Sequence, residues 1–261
     1  MIRRPERDDV KALTSLIYEH RMKNPYLYMD TVTFGLFGDN FETFTVEQDG
    51  KTVGAIYRYY DSLQPCLFDG MAELDEIAEF INSGDYSMAS ATADVIGRLA
   101  EKVKGYSAHF GVIMSAEIEG ASPSGKTELA TSEDCREIAE LICTDREIGG
   151  HYSVNGLERQ LRERMTDWGC VNLVLRVDGK IACHMATYAV CKGMAALGGL
   201  ITAPEHRGHG YGRVVLSDLA LRVMSDGCTP VQYCYTPATV RWYESLGCKV
   251  ITECGKLEKI K

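Results

Sequence analysis

Two glycine-rich stretches of this sequence have the makeup of an anion cradle. Residues 120–127, GASPSGKT, match G-x-x-x-x-G-K-[ST] letter for letter, the pattern of a loop whose backbone N–H groups and lysine hold phosphates. Residues 207–213, RGHGYGR, set Gly208, Gly210 and Gly212 at alternate positions between Arg207 and Arg213. Glycines permit positive φ and let backbone N–H groups converge with no side chain between them. The two stretches are told apart by their flanks, because a phosphate loop must join a buried strand to the amino end of a helix.

The first stretch lacks that setting. After Lys126 the chain continues Thr127-Glu128-Leu129-Ala130, a short strand by pattern, and the next helix begins near Thr131, where Thr131 and Asp134 fit a capping box. A helix that starts so late does not face phosphates held by the loop, and the Gly, Ser and Pro crowded here read as a linker. The second stretch has the right order. Leu197 to Thr202 reads as a buried strand, and after the glycines Val215, Leu216, Leu219, Ala220 and Val223 recur at helical spacing from a start near Tyr211. The helix adds unpaired N–H groups and the positive end of its dipole, so a pyrophosphate fits at residues 207–213.

Proton-transfer candidates are fewer. Tyr243 and Trp242 lie on a helical segment that Thr236 caps and Pro237 begins. The strand Ala195 to Ala203 holds no carboxylate; Glu205 lies just outside it, and His184 sits on the preceding apolar strand, where a satisfied core role competes with that of a base. No His, Cys and carboxylate spacing suggests a metal site. The ten cysteines never form CxxC and follow a polar start, MIRRPERDDV, with no signal-peptide core, so reduced buried thiols in a cytoplasmic protein are expected. A net charge of −9 opposes nucleic acid, and no apolar run reaches the roughly 20 residues needed to cross a membrane.

The elements that would position these residues occur twice. FTVEQDGKTVGAIY and LVLRVDGKIACHMA both place Asp-Gly between alternating apolar runs, a hairpin signal, at Asp49-Gly50 and Asp178-Gly179. A helix-period segment precedes each, Val10 to Ile17 and Cys135 to Ile142. The repeat implies two related domains, divided as 1–122 and 123–261 within the 261 residues.

From Arg207 the letters fit R/Q-x-x-G-x-G/A, and with VQYCY and TPATVRWYESLGCKV downstream and PEHRG ahead of the glycines, residues 126–261 resemble the GNAT superfamily of N-acetyltransferases. The resemblance implies an α/β (α+β) fold of tandem GNAT-like domains, each a mixed, mostly antiparallel sheet flanked by helices. The first domain, lacking the glycine loop, looks like a degenerate copy. For the second it implies acetyl-CoA as cosubstrate, with pyrophosphate on the backbone of Arg207, Gly208, His209, Gly210, Tyr211, Gly212 and Arg213. It also implies a thioester carbonyl on N–H groups around Ile201 and Thr202, and Tyr243 as the acid that protonates the leaving thiolate. The implied reaction is direct acetyl transfer to an amine of a small molecule or peptide. Many relatives carry an asparagine where this chain has Thr236, and with no carboxylate base in view a non-catalytic acyl-CoA binding or sensing module stands as the alternative. The aromatic stretch from Asn24 to Phe44 reads as core or as the wall of an acceptor pocket.

Overall fold

The computed structural model describes residues 1–260 apart from Glu119, Glu147, His151 and Trp168, and leaves the Asp167 side chain undescribed. The chain forms two compact units. One comprises Met1–Met114, Tyr233–Arg241 and Val250–Lys261; the other comprises Ser115–Gln232 and Trp242–Lys249. The units are therefore not the contiguous halves expected from a division at 122/123. The C-terminal segment belongs to the first unit, where it satisfies a strand edge that would otherwise lie open.

The first unit runs β1 (Ile2–Arg3), α1 (Asp9–Glu19), α2 (Pro25–Phe34), β2 (Phe41–Gln48), β3 (Lys51–Tyr59), β4 (Ser62–Leu67), α3 (Asp75–Ser83), β5 (Met88–Thr92), α4 (Ala93–Ala100) and β6 (Tyr106–Ser115). The second runs β7 (Glu128–Leu129), α5 (Cys135–Cys143), α6 (Val154–Asp167), β8 (Asn172–Val177), β9 (Lys180–Cys191), β10 (Met194–Thr202), α7 (Tyr211–Ser225) and β11 (Thr229–Cys234) as far as Gln232; α8 (Pro237–Ser245) is divided between the units after Arg241, and β12 (Lys249–Lys259) returns to the first. β12 pairs antiparallel with β5 from Cys254 opposite Thr92 to Glu258 opposite Met88.

The hairpins form where the sequence puts them. Asp49 and Gly50 turn at φ of 50° and 72°, and Asp178 and Gly179 at 49° and 80°. Two successive positive φ values match the right-handed twist of the flanking strands, which is why Asp-Gly stands at both turns. In the first unit the strand order is β1-β2-β3-β4-β5-β12-β6, in the second β11-β10-β9-β8-β7; β1–β2, β2–β3, β3–β4, β5–β12, β7–β8, β8–β9 and β9–β10 pair antiparallel, β4–β5 and β10–β11 parallel. Ile56, Leu63, Leu74, Ile77, Ile96 and Leu99 centre one core. In the second unit Ile138, Ile142, Leu157 and Leu161 of α5 and α6 pack on Val174, Ile181 and Ile201, while α7 buries Val215, Leu216, Leu219 and Val223.

Part of the aromatic stretch packs in the first unit's interior, while Phe37 is exposed. Leu27, Tyr28 and Met29 are buried, and Tyr26 stacks on Tyr233 with ring centroids 3.9 Å apart. Among the described residues no helix is long and apolar enough to cross a membrane, and no group of His, Cys, Asp and Glu side chains is arranged to hold a metal ion.

Candidate functional site

α7 begins at Tyr211, directly after the alternating glycines. Gly208 and Gly210 have φ of 81° and 78°, with open space where a Cβ would stand. Gly210 is the N-cap and offers no side chain to the helix. Val214 N–H bonds back to Gly210 O at 3.2 Å, so helix geometry leaves the N–H groups of Tyr211, Gly212 and Arg213 without intrahelical acceptors. These donors and the dipole make an anion site. Arg207 is held beside it, donating through Nε to Thr202 O at 3.2 Å and through Nη2 to Asp145 Oδ2 at 3.4 Å. His209 folds its Nδ1 onto the carbonyls of His206 and Arg207 and stacks on Tyr211, so its ring supports the loop. A Cβ at Gly212 would stand 3.7 Å from both Thr202 Oγ1 and the Trp242 ring, which places β10 and α8 beside the first turn of α7.

β10 opens away from its neighbour at this point. Its parallel pairing with β11 holds from Met194 opposite Thr229 to Ala196 opposite Val231 and then stops, although β10 continues to Thr202. The next residue of β11, Gln232, is 3 % exposed and has no hydrogen-bond partner among the described residues at either side-chain amide atom. Beyond Ala196, strand alternation decides which N–H groups face the opened edge. Ala203 N–H donates to Ala182 O at 2.9 Å on the β9 side. Ile201 faces the same way, so Thr202, between them, turns its N–H to the opening. The Ile201 side chain is in the core, and the Thr202 hydroxyl contacts Cys183 Sγ at 3.3 Å.

On its other edge β10 is bulged against β9, with a register shift between Gly198 and Ile201. Gly199 sits there at φ 66°. A Cβ on it would lie 2.6 Å from Tyr188 Oη, and one on Gly198 would lie 2.8 Å from the Tyr188 ring, so the Gly-Gly pair exists to admit that ring. His184 fixes the bulge. Its Nδ1 lies 3.0 Å from Gly199 O and its Nε2 2.9 Å from the Asn172 side chain. Burial, only partly offset by the Gly199 carbonyl, lowers the imidazole to about 4. The neutral ring has one N–H, and its two nitrogens face Gly199 O and Asn172 Oδ1. His184 is thus spent on structure and does not stand ready as a base.

Tyr243 lies in α8 and is 7 % exposed, packed edge-on against Trp242 at a centroid distance of 4.8 Å. Thr236 caps α8 as its spacing with Pro237 predicts, accepting Thr239 N–H at 3.2 Å. The cysteines are all free, and burial holds Cys183 up at about 11, far from thiolate chemistry at neutral pH. GASPSGKT faces no helix end. Ser124 N–H and hydroxyl donate to Asp218 at 2.9 and 2.5 Å and Thr127 Oγ1 at 2.7 Å, tying the linker to the flank of α7. Tyr188 and Gln232 have no motif in the sequence. The only signal for the first is Gly198-Gly199 inside an apolar strand.

A sheet that opens beside a left-handed glycine loop and an uncapped helix defines the class: the chain has the GNAT fold, in tandem. Residues 134–248 match the model of the acetyltransferase (GNAT) family. A GCN5-related N-acetyltransferase from Sphaerobacter thermophilus superposes with TM-score 0.67 at 16 % identity over 100 % of this chain and 96 % of its own. A GNAT-family acetyltransferase from Colwellia psychrerythraea gives 0.60 at 14 % identity over 99 % of both chains. A tandem GNAT protein from the clavulanic acid biosynthesis pathway gives 0.59 at 13 % over 98 % of both. At these identities the likeness is one of fold. No curated protein matches the chain in sequence. The family is one of acyltransferases that take acyl-CoA as cosubstrate, and the open cradle at Gly208 and Gly210 and the Gln232 amide, unpartnered among the described residues, fit such a group.

Proposed function

We propose that the second unit binds acetyl-CoA and transfers the acetyl group directly to a primary amine of a small-molecule or peptide acceptor. The observation that carries this reading is the end of β10·β11 pairing at Ala196 beside the uncapped start of α7, which joins an open strand edge to an anion cradle. Backbone N–H groups between Gly208 and Arg213 would hold the pyrophosphate, with Arg207 beside them. The Thr202 N–H, aimed at the opening, would donate to the thioester oxygen as negative charge develops there. One such preorganised donor contributes about 3 kcal/mol to catalysis in a comparable oxyanion site. Bound acetyl-CoA supplies the activated acyl group. As the amide bond forms and the C–S bond breaks, one proton moves, net, from the amine to the thiolate, and Tyr243 is the residue proposed to deliver it.

Ten free cysteines support a cytoplasmic location, since reducing compartments keep thiols unpaired. No metal, nucleic acid or membrane enters the reading. One observation favours the alternative of an acyl-CoA-binding module without turnover: β10 carries no carboxylate, and the imidazole nearest the bulge is neutral and occupied. Free-thiol release from acetyl-CoA across a panel of primary amines separates the two. Amine-dependent release, with kcat falling by about 10²–10⁴ in Tyr243→Phe while acetyl-CoA affinity holds, is the result expected of a general acid. Amine-independent slow hydrolysis, equal in both proteins, would favour the binding module.

A further inference from the structure

The side of β10 that carries the bulge holds a second feature. Arg164, on α6, stands with its guanidinium carbon 4.5 Å from the centre of the Tyr188 ring. Tyr188 in turn lies over Gly198 and Gly199, the two residues whose Cβ positions it occupies. Arginine, aromatic ring and bulge therefore form one stack, on the same side of the sheet as Asn172 and His184.

The arginine is under-used where it sits. Its guanidinium bonds the Tyr188 hydroxyl and reaches Gln160 Oε1 through Nη2 at 3.5 Å, while its Nη1 is buried with no hydrogen-bond partner among the described residues. A guanidinium keeps its charge at any physiological pH. A buried, unpaired N–H on a charged group costs more than the roughly 1–3 kcal/mol of a neutral one, so a donor without a partner among the described residues is one that a ligand can take up. Burial pushes the Tyr188 hydroxyl up to about 12, so it stays protonated and can donate as well.

The geometry points to an acceptor subsite in which Arg164 and Tyr188 bind a carboxylate of the incoming amine, making the acceptor class amino-acid-like: a primary amine and a carboxylate on one molecule. A carboxylate accepts two parallel N–H bonds from a guanidinium, which a neutral acceptor does not. On a chain of net charge −9 an anionic acceptor needs such a local cation. The proposal rests on the acyl-transfer reading of the β10 edge, because that reading brings the amine to the bulge over which Tyr188 lies.

The test does not depend on turnover. The protein is titrated with N-acetyl-alanine, N-acetyl-leucine, N-acetyl-phenylalanine and N-acetyl-glutamate, each against the compound with its carboxylates converted to carboxamides, with and without CoA. At least one acid is expected to bind 10-fold or more tightly than its carboxamide. Arg164→Gln should remove that difference while CoA affinity and the carboxamide's affinity stay within twofold. Arg164→Lys, which keeps the charge and loses the fork, should retain part of it and serves if Arg164→Gln unfolds; Tyr188→Phe should lose a smaller part. Acids and carboxamides binding alike in every pair, or a loss on Arg164→Gln that falls equally on both, would overturn the subsite. An acid preference without any CoA binding would leave the subsite standing and remove the acyl-transfer reading instead.

Discussion

The two units share a plan and differ at the bulge and at the helix start of the candidate site. In the second, β9 and β10 are out of register at two points, and one of them is the Gly199 bulge that His184 clamps. In the first, β3 pairs with β4 without a shift from Gly54 opposite Leu67 to Tyr59 opposite Ser62. Aligned on the Asp-Gly turns, the residue in the place of His184 is Ala55. The helix after the third hairpin-linked strand differs as well. α7 opens on left-handed Gly210 with no acid in its first turn, whereas α3 opens on Leu74 at φ −108° with Asp75 and Glu76 in its first turn. Two carboxylates there repel a phosphate from the end of the helix that would otherwise attract one.

The strand opening itself survives in both. β4 and β5 pair only at Ser62 and Leu63 opposite Met88 and Ala89, although β4 continues to Leu67. In the first unit that opening is filled. Tyr26 and Tyr233 line it with Gln64, Pro65, Ser90 and Ala91, leaving about 10 Å³. That is room for about one water. Duplication preserves the backbone splay, because it is built into the sheet, while single side chains decide whether it is a ligand cleft or a plugged seam.

Three measurements sharpen the contrast. The largest expected effect is on stability. Because the folded His184 sits near 4 and an unfolded histidine near 6.5, the unfolded chain takes up a proton over that window and the folded one does not. The contribution is complete above pH 6.5 and is lost as pH falls toward 4, by about 3 kcal/mol in all. Denaturant unfolding of His184→Gln between pH 7 and 4 should show that dependence removed; an unchanged pH slope would mean the ring does not stay neutral. A smaller effect is expected from Asp218→Ala, which releases three hydrogen bonds from the linker and should cost about 1–3 kcal/mol by the same assay, with acetyl-CoA affinity unaltered. A role for GASPSGKT in ligand binding would show instead as lost affinity. The smallest is Asp75→Asn with Glu76→Gln, which removes the repulsion at α3 and should still create no second acetyl-CoA site, because Tyr26 and Tyr233 keep the seam filled. A second site appearing would mean charge alone closes it.

Much of the second unit is legible in its residues. The glycine alternation locates the start of α7 at Tyr211, Thr236-Pro237 locates that of α8, and both Asp-Gly turns fall where the apolar alternation breaks. Each is a local signal with a local cause. The return of β12 to β5 is not legible, because alternation says that 249–259 is a strand and says nothing about which edge it joins. The Arg164–Tyr188 stack escapes for the same reason, depending on two elements 24 residues apart meeting over a bulge whose only trace is a pair of glycines. GASPSGKT shows the converse, a motif complete in letters whose polar groups are used to hold a linker.

The central claim, that acyl-CoA binds in the second unit and there alone, is tested most directly by calorimetric titration of acetyl-CoA into the intact chain and into Gly210→Trp. The account predicts one site per chain, lost in the variant, whose bulky side chain would occupy the space that Gly210 leaves open at φ 78°. Two sites per chain, or one that survives the substitution, would contradict it.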